Sequence, residues 1–152
     1  MIVMEEHQNR LVAQLVELTV IKIKHLENIV DLTCRQGEAL EEGLIESLYS
    51  YIENKQEHID AIKELDKKFE LIYMGFEQKT LNIPAALQTH VARVQKLVED
   101  IRQAEAENNI QANKVMEEVK LKLQDLNKGK KGYNAYKNAS FNQDARFLDK
   151  TK

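Results

Sequence analysis

The feature that most constrains this chain is a regular spacing of apolar residues, which only long helices can bury along one side. Between residues 87 and 126 a strict four-three spacing runs through twelve positions, and nine of them are apolar. These positions are Leu87, Val91, Val94, Val98, Ile101, Glu105, Asn108, Ala112, Val115, Val119, Lys122 and Leu126. The pattern predicts the seam of a coiled coil or helical bundle.

A second segment follows the same spacing, and its only polar exceptions are Lys55 and Asp66. Its positions are Ile45, Leu48, Ile52, Lys55, Ile59, Ile62, Asp66, Phe69, Tyr73 and Phe76. Single polar groups at seam positions set the register of helices at some cost in stability. We therefore interpret the polar residues of both seams as structural. They are Lys55, Asp66, Glu105, Asn108 and Lys122.

The first segment of the chain is apolar on two sides. One stripe contains Leu11, Leu15, Leu18, Ile29 and Leu32, and the other contains Val16, Val20, Ile23, Val30 and Leu40. A helix with two apolar sides needs two partners. We therefore expect helix 1 to lie between helices 2 and 3, or else to use its second stripe to form a dimer.

Two interruptions separate these segments. Gly43 can adopt the left-handed conformation that ends a helix. Residues 77–83 contain the cap candidates Thr80 and Asn82, and Pro84 follows in the position of a first helical turn. Short connections of this kind make neighbouring helices antiparallel.

The prediction is therefore an all-α fold. With one proline, five glycines and no tryptophan, the composition is typical of long helices. We predict an antiparallel bundle or coiled coil of three long helices over residues 1–127, with a basic, flexible tail over 128–152. The helices are expected at about 4–41, 45–76 and 84–127.

The predicted third helix is too long for its neighbours. At ~1.5 Å per residue it spans roughly 66 Å, against roughly 57 Å and 48 Å for helices 1 and 2. If it runs back alongside helix 2, its end projects beyond the bundle with apolar residues still on one side. The alternative is that Asn108 and Asn109, both weak helix formers, break the helix and let the end fold back.

Charge is distributed unevenly along the chain. The formal net charge is −3, yet residues 128–152 carry six lysines, one arginine and two aspartates, or +5, so the rest carries −8. An acidic helical surface repels phosphate backbones, so nucleic acid is not expected as a partner. The tail also contains Tyr133, Tyr136, Phe141 and Phe147. These aromatic residues predict either ordering on a partner or contact with the bundle.

No motif points to catalysis, a cofactor or a metal. His7, His25, His58 and His90 are scattered, and none has a second histidine or cysteine at ligand spacing on its own helix. His25 is expected to be a partly buried structural histidine, and Cys34 a small residue near the core. The chain is predicted not to be an enzyme.

Targeting signals are also not expected. The first residues turn polar after Met4, unlike a secretory signal. The longest apolar-rich stretch, residues 11–23, is interrupted by Gln14, Glu17 and Lys22 and is too short to cross a bilayer. We therefore expect a soluble protein of the cytosol.

Several stretches together resemble the FlgN family of flagellar type III export chaperones, in the form found in Gram-positive bacteria. They are the opening helix LVAQLVEL at 11–18, the turn ALEEG at 39–43, the runs ENKQE at 53–57 and IKELDKKF at 62–69, and the ending, KGKKGY at 128–133 through RFLDK at 146–150. The resemblance covers essentially the whole chain, and the ending is its most specific part.

The resemblance implies a cytoplasmic chaperone that binds the hook–filament junction proteins FlgK and FlgL before export and docks on the export gate protein FlhA. In this family the later part of the chain grips the client's C-terminal helical segment. In this chain that part contains the apolar end of helix 3 and the aromatic residues of the tail, so the residues that we expect to bind the client are Val115, Met116, Val119, Leu123, Leu126, Tyr133, Tyr136, Phe141 and Phe147. Two alternatives remain. One is a chaperone for another flagellar or type III client, and the other is a coiled-coil scaffold or adaptor.

Overall fold

The computed structural model describes residues 2–76 and 84–137, and their side chains over 6–76 and 84–133. Regular structure in these ranges consists of three α-helices, α1 (Ile2–Glu42), α2 (Ile45–Tyr73) and α3 (Ala85–Lys137). The predicted all-α class is therefore confirmed. The chain divides into two units, Met1–Gln111 and Ala112–Lys152, so the first unit ends before the predicted boundary at residue 127.

The turn between α1 and α2 is built around Gly43. Its φ of 70° lies in the left-handed region that side chains disfavour. The Leu44 N–H donates to the Ala39 carbonyl at 2.9 Å, which satisfies a carbonyl that the end of α1 would otherwise leave without a partner. The predicted break at Gly43 is confirmed, and it reverses the chain within two residues.

The second break begins earlier than predicted. Helix α2 ends at Tyr73 rather than near residue 76, and the backbone N–H of Gly75 donates to the Ile72 carbonyl at 3.0 Å. Glycine disfavours a helix interior, which accounts for the earlier end. The cap candidates Thr80 and Asn82 lie outside the described residues. Helix α3 begins after Pro84, whose carbonyl accepts the N–H groups at positions 87 and 88.

Helix α3 differs from the prediction at its far end. It runs without interruption through Asn108 and Asn109, so the alternative of a break there is wrong. It also continues past residue 127 to Lys137, through Gly129 and Gly132. Each glycine costs about 1 kcal/mol relative to alanine. The lysines and leucines around them favour the helix, so the first ten residues of the predicted tail are helical.

Contacts between helices of the first unit fix their directions. Lys22 pairs with Asp66 at 2.8 Å, while Lys55, farther back along α2, contacts Gln36 of α1 at 2.8 Å. Numbers that rise along α1 therefore fall along α2. Lys55 also contacts Glu105 of α3. The consecutive helices are antiparallel, as predicted.

The core of this unit takes side chains from all three helices. Leu26, Ile29 and Leu97 form its buried centre. Partly buried neighbours are Ile23, Val30, Ile59, Ile62, Val94 and Ile101. Residues from both apolar stripes of α1 are therefore used within the chain, and α1 contacts both other helices. Helix α2 also contacts α3 directly, through Lys55 and Glu105, so the three helices pack around a shared core and α1 does not separate the other two as expected.

Several sequence predictions about burial are wrong. On α3 the buried residue is Leu97 (3% exposed) rather than Val98 (39%). On α2 the predicted seam residues Ile45 and Ile52 are exposed. Cys34 is exposed as well, because its neighbour Thr33 takes the buried position. One residue along a helix turns a side chain by about 100°, so a shift by one position moves it out of the core.

No helix within the described residues combines the length and the apolar character needed to cross a membrane.

Candidate functional site

The second unit exposes apolar side chains along one side of α3. We call this set the α3 face, and it consists of Val115, Met116, Val119, Leu123, Leu126 and Tyr133. Met116 and Leu126 are the most exposed, at 69% and 65%, while Val115 is half-buried. The spacing of three and four residues keeps these positions on one side of a helix. An apolar stripe of this length in water is a candidate interaction surface.

The structure brings some of the predicted site residues together and leaves others out. Met116, Val119 and Leu123 line one shallow depression, whose polar margin includes Asn113 and Lys120. Val115 and Leu126 lie on the same side of the helix without lining the depression. The side chain of Tyr136, and all of Phe141 and Phe147, lie outside what the structure describes.

Positive charge dominates around the far part of this face. Residues 120–137 contain six lysines and a single aspartate, a net charge of +5. Lysine stems can cover apolar surface while their ammonium groups remain in water. The surface therefore combines an apolar stripe with basic margins, which suits recognition of an amphipathic helix.

A polar layer crosses the first unit at the level of Lys55. Its side chain is 11% exposed, and its ammonium donates to Gln36 Oε1 at 2.8 Å and to Glu105. One helical turn farther along α3, Asn108 Nδ2 donates to the Thr33 carbonyl at 2.8 Å. These groups satisfy one another across three helices, as the structural interpretation of the polar seam residues requires.

Gly37 makes room for this layer. A Cβ at this position would lie 2.6 Å from Asn108 Oδ1, closer than real Cβ atoms approach. Asp66, another polar seam residue, instead pairs with Lys22 at a more exposed position. Lys122 is exposed in the second unit, so the prediction that it occupies a seam is wrong.

Two histidines meet between α1 and α2. His25 Nδ1 and His58 Nδ1 are 2.9 Å apart, so one ring donates a hydrogen bond to the other. Burial lowers the pKa of His25, and the neighbouring His58 lowers it further. The predicted partial burial of His25 is confirmed. Sequence spacing could not reveal the pair, because the two residues lie on different helices.

The described residues provide little basis for metal binding. Among the described residues, no group of three or more histidine, cysteine, aspartate or glutamate side chains could hold a metal ion. The buried hydroxyls of Thr19 and Thr33 donate to carbonyls one turn back in α1, whereas the buried Lys55 has its partners on neighbouring helices. The described residues thus comprise a packed helical unit and, in the second unit, an exposed apolar face on α3.

Comparison with known proteins gives one match. A protein-family model described as FlgN protein matches residues 4–140. No curated protein and no solved structure matches the chain. The matched range includes all of α2 and α3, the whole α3 face, and α1 except for its first two residues.

Proposed function

Because the chain belongs to the FlgN family of flagellar export chaperones, we propose that it binds the C-terminal helical segments of the hook–filament junction proteins FlgK and FlgL in the cytoplasm. An exported subunit must wait unassembled, with the helices through which it assembles exposed. A chaperone that covers those helices keeps the subunit competent for export. The family is one of chaperones and not of enzymes.

The observation that carries this proposal is the α3 face. Its apolar side chains repeat at helical spacing, and five of its six members are exposed. An amphipathic client helix can lay its own apolar stripe against such a surface. The face thus supplies the kind of contact that the proposed client segment requires.

The free energies of burial and association indicate that the α3 face does not bind the client alone. Fully burying one valine, leucine or methionine side chain stabilises by about 1.5–3 kcal/mol, and partly buried side chains gain about half of that. Association costs about 4–15 kcal/mol in lost freedom. Six such side chains contribute about 5–9 kcal/mol, which offsets much of this cost but leaves little net free energy for tight binding. We therefore propose that Tyr136, Phe141 and Phe147 also bind the client.

Charge gives the tail a further role in this proposal. Residues 128–152 carry a net charge of +5. Attraction of these lysines to an acidic surface on the client, or on the export gate protein FlhA, would chiefly raise the association rate. Docking on FlhA is therefore proposed as the step that follows client binding.

Co-expression with affinity-tagged FlgK or FlgL tests the proposal. The expected result is a complex that survives purification with each junction protein. Filament and cap proteins, expressed in parallel, serve as competing clients. Recovery of the chain with a filament or cap protein, but with neither junction protein, would reject the proposed clients.

A matched pair of variants locates the contact. Val119→Asp with Leu123→Asp places two charges on the α3 face, and Leu121→Asp places one on the opposite side of the same helix at a similarly exposed leucine. We expect the first variant to lose both clients and the second to retain them. Equal capture by the two variants would show that the client binds elsewhere.

A further inference from the structure

The first unit contains an apolar cavity between its three helices. We call it the Phe69 cavity, and its volume is about 210 Å³. Its apolar walls are Leu18 of α1, Leu65 and Phe69 of α2, and Val91 and Val94 of α3. Val94 also packs against the buried core of this unit, so the cavity adjoins that core.

Water is poorly suited to fill the Phe69 cavity. Thr19 also lines it, but the Thr19 hydroxyl donates to the Leu15 carbonyl of its own helix at 2.7 Å. Two further polar lining residues, Asp66 of α2 and Gln95 of α3, are exposed, which places the mouth of the cavity between these helices. A water molecule deeper inside would find few polar partners, and a dry cavity leaves its walls without dispersion contacts. The cavity therefore favours an apolar occupant.

A charged pair lies at the mouth of the Phe69 cavity. Lys22 Nζ is 2.8 Å from Asp66 Oδ1, and the Lys22 side chain is the less exposed of the two, at 25% against 52%. This bond uses one of the three N–H groups of the ammonium, so an occupant with an oxygen acceptor at one end can accept from another. A carboxylate at that place would be repelled by Asp66, and an amine would be repelled by Lys22. The pair therefore favours an uncharged occupant.

We propose that the Phe69 cavity binds a small, uncharged aromatic compound that carries one carbonyl oxygen. An engineered apolar cavity of about 150 Å³ in another protein holds benzene, and scaling by volume gives room here for roughly eight or nine non-hydrogen atoms. That is a ring with a short carbonyl substituent. The ring packs against Phe69 in the offset or edge-to-face geometry that aromatic pairs prefer, and the carbonyl accepts from Lys22. Mostly apolar walls with a few polar groups that fix orientation are the usual composition of a ligand site.

An occupant of the Phe69 cavity contacts all three helices of the first unit. Its binding therefore stabilises the folded unit, because a ligand that binds the folded chain alone lowers the population of the unfolded chain. The α3 face belongs to the second unit and does not line this cavity. The inference therefore goes beyond the proposed function and does not depend on it, since ligand binding is measured without any client.

NMR titration of the isotope-labelled full chain with acetophenone tests the proposal. Acetophenone has the proposed ring and carbonyl, and benzoate has the same number of non-hydrogen atoms with a negative charge. We expect acetophenone to cause saturable shifts of the backbone amides at residues 18–22, 65–69 and 91–95, with a Kd of about 1 mM or tighter. Benzoate should bind at least about tenfold more weakly, because Asp66 repels its carboxylate.

Substitutions that fill the cavity provide matched variants. Val91→Phe places a larger side chain in the Phe69 cavity, and Val98→Phe makes the same change at an exposed position of α3 that does not line it. The first variant should lose the acetophenone shifts, and the second should bind as the wild type does. Val91→Leu is a smaller enlargement that should weaken binding, and it keeps the test decisive if the phenylalanine variant does not fold. Circular dichroism of each variant measures folding.

Lys22→Met tests the polar contact at the mouth. Isopropylbenzene matches acetophenone in size but has no oxygen acceptor. In Lys22→Met the affinity for acetophenone should decrease at least about threefold, while the affinity for isopropylbenzene should not decrease. An equal decrease for both probes would contradict the hydrogen bond from Lys22.

The absence of saturable shifts with acetophenone overturns the proposal, and so does equal affinity of the wild type and the folded Val91→Phe variant. Equal affinity for benzoate and acetophenone overturns the assignment of an uncharged ligand. If none of the three probes binds while Val91→Phe raises the Tm, the cavity is an empty packing defect and not a ligand site.

Discussion

At the residue scale, Lys55 places an ammonium where the helical spacing calls for an aliphatic side chain. The sequence predicts its position in a seam, and also that of Glu105. It cannot predict that the two residues meet, because this depends on how far α3 is shifted along α2. Burying an ion pair adds little stability compared with an apolar side chain, whereas leaving a buried charge without its partner is costly.

Glu105→Ala should therefore destabilise the chain more than Lys55→Met. The alanine variant leaves the Lys55 ammonium with Gln36, and water can reach a site where Glu105 is partly exposed, so we expect a loss of about 1–2 kcal/mol. Methionine fills the same volume without a charge and should cost less than about 1 kcal/mol. Urea denaturation measures the free energy of unfolding of both variants. If Lys55→Met destabilised the chain more than Glu105→Ala, the structural role of the polar layer would be contradicted.

The His25–His58 pair predicts a dependence of stability on pH. Burial holds the pKa of His25 below its usual 6.5, so the unfolded chain binds protons more readily than the folded chain. The stability from this group is present above pH 6.5 and is lost as the pH falls through the lowered pKa. The apparent Tm should therefore decrease between pH 7.5 and 5, and His25→Gln should flatten that decrease.

His90→Gln provides the control for this measurement, because His90 is half-buried on α3 and is not part of the pair. Its Tm should follow the wild-type dependence on pH. If the Tm of His25→Gln fell with pH as steeply as that of the wild type, the histidine pair would not contribute to the pH dependence of stability.

At the element scale, helix type and the Gly43 turn follow from the sequence, because periodicity and a left-handed glycine are local signals. The buried side of each helix is less predictable. A straight helix has 3.6 residues per turn, so its apolar line drifts by about 20° per heptad from a strict four-three spacing. That drift is small beside the 100° between neighbouring residues, so the burial of Leu97 in place of Val98 reflects the packing of Leu97 against Leu26 and Ile29 of α1. The ends of α2 and α3 also differ from prediction, since Gly75 ends one helix while Gly129 and Gly132 are tolerated in the other.

Substitution at positions 97 and 98 should separate the predicted seam from the observed one. Leu97→Ala removes a buried side chain of the core and should cost about 2–4 kcal/mol. Val98→Ala removes less volume at a largely exposed position and should cost less than about 1 kcal/mol. Chemical denaturation measures the free energy of unfolding of each variant. If Val98→Ala lost more stability than Leu97→Ala, the predicted four-three seam would be the buried one.

At the scale of the whole molecule, the packed core and the proposed binding surface lie in different parts of the chain. Side chains of the first unit form the packed core, whereas the α3 face in the second unit is exposed. The sequence predicts this apolar surplus near the end of helix 3, and with it most of the candidate site. It does not predict the exposed apolar side chains at the start of α2, because the spacing assigns Ile45 and Ile52 to the core. Exposure depends on tertiary packing, which local pattern does not encode.

This division predicts that binding can be removed without loss of folding. Val119→Asp with Leu123→Asp should change the free energy of unfolding by less than about 1 kcal/mol, because both side chains are already exposed. Circular dichroism during urea denaturation measures this. A large loss of stability would mean that the α3 face belongs to the folded core.

The most direct test of the account is calorimetric titration of the C-terminal helical segment of FlgK, and separately of FlgL, into the full chain. We predict saturable binding to the wild type and to Leu121→Asp, and binding at least about tenfold weaker to Val119→Asp with Leu123→Asp, a difference of about 1.4 kcal/mol. The result that would contradict the account is equal affinity for all three proteins, or no binding of either segment to the folded wild type.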